Sequence, residues 1–517
     1  LAYLEFDAPG VAELLTRRLT VEVATGQWLG PAGQPDAVAT ATDLLQNIAA
    51  AQLSPLLRAD PETGGEMFVE LGLPSWLIDK RPDAVATETV QYVRTYGRVR
   101  VGEEMNAQLN GNAKQLITAQ KEKWDAWLGG VLFAPEFGDL NLWGIDSVLT
   151  YHYLIAEFFR VVPMPYEDFW RLNEAQQADL IWKALFVDRP PISEAAQGVV
   201  RVLAGLGLDP LAPDLQEARS YFAEQDPAQY ANNVLDMAGV DAVVMTNDPF
   251  DPAEAAVWRA GGPDNPRYKA ALRLDHLLIR WPDACAAMQR EGCSVTQDMS
   301  GKTLPEVRRF LDRWVGLMKP LYLAVSLPAS FAYPDGGFLT RLLREAVLPT
   351  CREHGLPMGL MIGVRRQVNP HLRLAGDGVG RADVTALERL ANEFPDVRFL
   401  VTLLSRENQH ELCVCARKFG NILPFGCWWF LNNPSIVAEI TRERLEMLGA
   451  TFVAQHSDAR VLDQLLYKWP VSRRIIGDVL AETYEALLDA GRPVTEEDIA
   501  GDVNRLLRTN FRQWARF

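Results

Sequence analysis

Polar side chains cluster where apolar runs of this chain end, and their types suit a small carboxylated molecule. The run TFVAQHS leads into Gln455-His456-Ser457-Asp458-Ala459-Arg460. Asp458 is the carboxylate best placed to take a proton or hold a metal, and Arg460 could balance its charge or bind a substrate oxygen. NILPFGCW leads into Trp428, Trp429, Asn432 and Asn433, where two indoles could wall a sugar ring or bury one ring in the core. YKAALRLD ends on Arg273, Asp275 and His276, and PMGLMIGV on Arg365, Arg366, Gln367 and Asn369. Arginines placed there can grip a carboxylate through two parallel N–H bonds. VDAVVMT ends on Thr246, Asn247, Asp248 and Pro249, where the Asp-Pro step is equally well an ordinary turn.

The elements that must position these groups repeat. Short apolar runs are expected as strands at 240–246, 268–275, 320–327, 357–364, 397–404, 421–428 and 450–456, with Val131 to Phe133 as one more. Near-continuous apolar strands are what a parallel sheet buried on both faces requires. Helical patterns between them, such as 303–318 and 336–354, suit right-handed βαβ crossovers. The expectation is therefore an α/β fold, a (β/α)8 TIM barrel, whose site lies at the C-terminal ends of the strands. Residues 134–239 read as a mostly helical insertion after the first strand, able to cap the barrel mouth. Residues 1–128 read as an extra, mostly helical N-terminal region, and 129–517 as the barrel domain.

Composition narrows the function. The 517 residues are too many for one ordinary core, which fits a large barrel with added segments. A formal net charge of −16 argues against nucleic acid as partner. It allows an anionic small substrate, since a few buried arginines reverse the local field. The six cysteines form no CxxC pair and read as reduced thiols of a cytoplasmic protein. No apolar run reaches the roughly 20 residues of a membrane span, and no signal-peptide pattern opens the sequence.

The stretch FGCWWFLNNPSIVAEITRERLEMLGATFVAQHSDARVLDQLLYKWPVSRRIIGDVL resembles the last quarter of the uronate isomerases of the amidohydrolase superfamily. That family has Gly-x-x-Trp-Phe after the seventh strand, matched here by Trp428 or Trp429, and Asp-x-Arg after the eighth, matched by Asp458 and Arg460. VVMTNDPFDP is similar to its Thr-x-Asp-Asp-Pro stretch through Thr246, Asp248 and Pro249. VLTYHYLIAEFFR carries its early His-Tyr onto His152 and Tyr153, and IGVRRQVNP matches Arg366 and Asn369. The resemblance covers roughly residues 129–517.

The resemblance implies interconversion of an aldose uronate and its ketose, glucuronate/fructuronate or galacturonate/tagaturonate, through an enediol. It makes Asp458 the base or metal ligand, His152 a contact to substrate oxygen, and Arg460 and Arg366 binders of carboxylate or hydroxyl. Tyr153, Arg273, Trp428, Trp429 and Asn432 are the further substrate-binding candidates. The sequence departs from the family at its metal site. Relatives end the first strand in His-x-His, whereas this chain reads Trp127-Leu128-Gly129-Gly130-Val131. Met361 stands where relatives carry a fifth-strand histidine, and Gln297 where they carry an aspartate. Zinc needs three or four protein ligands, so Asp458 with His456 implies at most a weakly held zinc or manganese ion. Two other functions remain open: a lyase or hydrolase acting on a carboxylated sugar or similar acid, and a non-catalytic binding or assembly subunit. The expected partner is a small carboxylated sugar, with no nucleic acid and no membrane, and a homo-oligomer is left open.

Overall fold

Apolar runs that alternate with amphipathic helices build a parallel sheet in this protein, seen in a computed structural model. The structure describes residues 142–492 and 494–517, residue 140, and the short strands at 3–5, 69–70, 98–101 and 134–137. Two compact units are distinguished, Leu1–Trp124 and Asp125–Phe517.

In the first unit, β1 (Tyr3–Glu5), β2 (Val69–Glu70) and β3 (Arg98–Val101) form an antiparallel sheet in the order β1-β3-β2. The helical patterns expected for residues 1–128 lie outside the described residues.

In the second unit, β4 (Ala134–Phe137), β5 (Val240–Asn247), β6 (Tyr268–Arg273), β7 (Leu323–Pro328), β8 (Met358–Arg365), β10 (Phe399–Leu403) and β11 (Ile422–Pro424) pair in parallel and in chain order. The two-residue β9 (Gly378–Val379) pairs antiparallel with β8 as a side branch. All five residues of β10 are buried, as are the first seven of β8 and the first five of β7, so both faces of these strands are covered. The helix Thr303–Met318 shows how the outer layer attaches. Leu304, Val307, Leu311, Trp314, Val315 and Met318 recur at helical spacing, form its buried stripe, and face the sheet core.

An eighth position of the (β/α)8 architecture is marked by bridges rather than a full strand. Val453 bridges Phe425 in parallel, with Gly426 N–H donating to Val453 O at 2.8 Å and Val453 N–H to Pro424 O at 3.0 Å. Leu142 bridges Val461 in parallel, which ties the chain after β4 to the chain after the eighth position. The expected strand 450–456 is thus shortened to one bridged residue. The first strand also differs from expectation: it is 134–137, while the apolar run 131–133 lies outside the described residues. The helical insertion accordingly begins after β4 and not at residue 134.

The insertion folds on clear local signals. Asn173 and Gln176 form a reciprocal capping box, Ser193 caps Glu194–Gly205, and Asp226 with Pro227 starts Pro227–Met237. Its apolar faces share one core with the C-terminal helix Leu465–Asp489. Buried Asp463 pins the junction, accepting from Gly144 N–H at 2.7 Å and from the Tyr230 hydroxyl. All six cysteines are buried and free. Among the described residues no helix is long and apolar enough to cross a membrane.

Candidate active site

The strand ends open onto one cavity of about 480 Å³, within the size range of small-ligand sites. Thr246, Arg273, Ser326, Met361, Arg366, Trp428, Trp429, His456, Asp458 and Arg460 line it from the barrel. The insertion adds Tyr151, His152, Trp170, Glu174 and Gln177. Six strand ends spread over more than two hundred residues therefore meet at one place, together with His152.

The eighth-strand wall is the most constrained part. Gly426 has φ +60, and a Cβ there would lie 2.1 Å from His456 Cβ, so only glycine lets the two backbones pass. Asp458 itself sits at φ +51, which ends the regular alternation of the strand and turns its side chain into the cavity. His456 packs edge-on against Phe425 at 4.6 Å between centroids. Burial, with Lys468 adding to it, depresses the His456 pKa to about 3.

Asn432, expected to bind substrate, does not line the cavity. Its Nδ2 lies within hydrogen-bond distance of Cys427 O at 2.6 Å and of His456 O and Ser457 O, both at 3.2 Å. The amide is drawn to backbone carbonyls and braces the wall. Tyr153 is likewise absent from the lining. One residue on along a helix turns a side chain by about 100°, so His152 faces the cavity while Tyr153 packs behind it. Their rings are 4.1 Å apart. Burial pushes the Tyr153 phenol well above its usual range, with Tyr151 and Asp458 contributing.

His152 meets Trp429 edge-to-face at 5.5 Å. Burial first, then Lys468 and Arg460, lowers its pKa to about 3, which leaves a neutral imidazole facing the cavity at pH 7. Among the described residues the buried indole N–H of Trp429 has no partner, a donor that a ligand oxygen could satisfy.

The opposite rim carries paired arginines. Arg273 lies 3.1 Å from Asp275, and Arg366 donates to Asp377 at 2.6 Å while its guanidinium stands 5.8 Å from the Trp429 ring centroid. The Arg366 guanidinium has five N–H donors, so its pair with Asp377 leaves donors for a second carboxylate. The segment 366–377 is tied to the insertion, since Trp170 Nε1–H donates to His371 O at 2.9 Å and Arg373 stacks 4.3 Å from the Trp170 centroid. Asp248 serves its turn: it accepts from Phe250 N–H at 2.9 Å and pairs with His276. It lines a neighbouring cleft, not the main cavity.

Sequence reasoning missed Tyr151, Trp170, Glu174, Gln177, Arg373 and Asp377. They come from the insertion and the 366–377 loop, where no strand end marks a site.

No family model and no curated protein matches this chain. Solved structures do. The chain is 45% identical to a uronate isomerase from Bacillus halodurans C-125, covering 77% of this chain and 96% of that one with a TM-score of 0.75. The chain belongs to the uronate isomerase family. A uronate isomerase from Thermotoga maritima (14% identity, TM-score 0.62, 76% of this chain and 97% of that one) shares the fold. So does a glucuronate isomerase from Caulobacter crescentus (16% identity, TM-score 0.61, 76% and 94%).

The metal implied by the family resemblance needs three or four protein ligands. All six histidines, at 152, 276, 354, 371, 410 and 456, lie among the described residues. No group of three His, Cys, Asp or Glu able to hold a metal ion occurs among those residues. His152, His456 and Asp458 share the cavity wall but do not form such a group. Among the described residues the donor set does not fit a three- or four-ligand site.

Proposed function

We propose that this uronate isomerase family member interconverts an aldose uronate and its ketose in the cavity described above. The observation that carries the reading is the 45% identity over nearly the whole of a uronate isomerase, with Asp458, Arg460 and His152 meeting at one cavity. Asp458 takes the proton from C2, the C–H electron pair forms the C1–C2 double bond, and the C1 carbonyl π pair moves to O1, which takes up the proton of the O2 hydroxyl. Asp458 then returns its proton to C1 as the electron pair on O2 forms the C2 carbonyl. Atoms and charge balance without an added reactant.

The other side chains fit the charge that develops. Arg460 supplies a fixed positive charge near the enediolate oxygen, and neutral His152 can donate an N–H to it without carrying charge. Arg273 and Arg366 are suited to the sugar carboxylate, and Trp428 and Trp429 to the ring or chain face. The test is appearance of the keto acid from glucuronate and from galacturonate with purified protein. Conversion of either supports the reading; conversion of neither overturns it for these substrates. Zinc and manganese are expected to be substoichiometric by elemental mass spectrometry after dialysis. Stoichiometric metal would mean a ligand set completed by residues outside those described.

A further inference from the structure

Lys468 is a cationic residue that is only 4% exposed and does not line the cavity. It lies in the first turns of the helix Leu465–Asp489, beside Tyr467, whose ring packs so tightly on Gly198 that a Cβ there would meet it at 2.6 Å. The backbone of this helix is therefore fixed against the insertion. From it, Lys468 Nζ donates to the carbonyl of Ser457 at 2.7 Å, the residue just before Asp458. The same ammonium stands 5.7 Å from the ring centroid of Tyr153, the residue after His152. One buried cation thus reaches the back of both elements that present the proposed catalytic groups.

Burying an ammonium is costly, and packing alone would be served as well by an apolar side chain of similar length. Asp458 meanwhile holds φ +51, a conformation unfavourable for a non-glycine residue that persists only when neighbours enforce it. Lys468 and Asn432 reach the Ser457 carbonyl from two different elements, and together they fix the plane of the peptide that leads into Asp458.

We propose that Lys468 is a positioning residue for Asp458, holding the Ser457–Asp458 peptide so that the carboxylate points into the cavity, and backing Tyr153 behind His152. The inference rests on the isomerase reading above. Its charge acts in the same direction on the imidazoles, since Lys468 is the second cause, after burial, of the low His152 pKa. Glu194, which burial raises and Lys468 lowers, is the acidic group facing it from the insertion.

The experiment compares Lys468→Met and Lys468→Arg with wild type, reading kcat, KM and C2 proton exchange in heavy water on whichever uronate wild type converts. Misplacing a catalytic group by about 1 Å costs on the order of 10²-fold, so Lys468→Met should lose about that in kcat and in exchange rate with KM little changed. Lys468→Arg, which keeps charge and donor, should recover most of the loss. If Lys468→Met does not fold, Lys468→Gln is read in its place. A kcat for the Met or Gln variant near wild type, a change confined to KM, or an Arg variant as slow as the Met variant overturns this inference alone. Wild type that converts neither sugar overturns the isomerase reading and this inference with it.

Discussion

The two sides of the cavity are built on different principles. On the rim at β6 and β8, Arg273 and Arg366 are paired with acids two and eleven residues along the chain, in local ion pairs partly open to water. On the eighth-strand wall, residues 452–457 are buried, and carbonyls of that wall are braced by Asn432 and Lys468. Ion pairs near water contribute about 0–1 kcal/mol and rearrange easily. A buried backbone carbonyl deprived of its donor costs about 1–3 kcal/mol, so the wall resists rearrangement. Capture of a carboxylate tolerates adjustment, whereas proton transfer at carbon needs a fixed carboxylate, and the division fits the roles proposed for the two sides.

Substitutions on the two sides should therefore fail in different ways. The largest effect is expected at Asp458→Asn, which keeps shape but removes the base and should lower kcat by about 10²- to 10⁴-fold. Substrate binding, read by calorimetry, should survive it. Gly426→Ala comes next, because its Cβ would fall 2.1 Å from His456 Cβ at a positive φ. A loss of about 1–3 kcal/mol in unfolding free energy is expected from denaturant titration, with kcat falling as the wall shifts. Unchanged stability would show that the wall is softer than described.

On the rim, Asp377→Asn should change KM by a factor corresponding to about 1 kcal/mol or less and leave kcat alone. A kcat loss comparable to that of Asp458→Asn would erase the distinction between the sides.

A separate effect concerns acid stability. His456 is neutral when folded, with a pKa of about 3 against 6.5 unfolded, so the unfolded chain binds the proton first. Stability should fall as pH drops from about 6.5 toward 3, by on the order of 1 kcal/mol per pH unit for this buried group. His456→Gln should flatten the dependence of the urea midpoint on pH in that window. An unchanged slope would assign the acid sensitivity to other groups.

Much of the barrel was legible in the sequence because buried parallel strands are written as apolar runs. The parallel strands from 240 to 424 fall within the runs that predict them or overrun them by one residue at their C-terminal ends, while the two-residue Gly378–Val379 was not expected. The two strands at the seam were harder to read. At the first, the run Val131 to Phe133 precedes the observed strand 134–137, whose Pro135 and Glu136 carry no apolar signature. At the eighth, pairing is cut short near the close approach of Gly426 and His456, a constraint invisible in hydrophobic pattern. In the site, the strand-end rule found Arg273, Arg366, Trp428 and Asp458. It misplaced Asn432 and Tyr153, because neither the pull of three carbonyls nor the turn of a helix is marked by residue type. Lys468 was missed since a lysine in a helix reads as solvated until its burial is seen.

The central claim is that Asp458 moves the proton between C2 and C1 on a bound uronate. The direct measurement is exchange at C2 in heavy water, followed by NMR, for wild type and Asp458→Asn with glucuronate and galacturonate. Wild type should incorporate solvent deuterium or transfer the C2 proton to C1 with at least one sugar, while Asp458→Asn binds that sugar and does neither. An Asp458→Asn variant that still moves the proton at a rate near wild type would contradict the account.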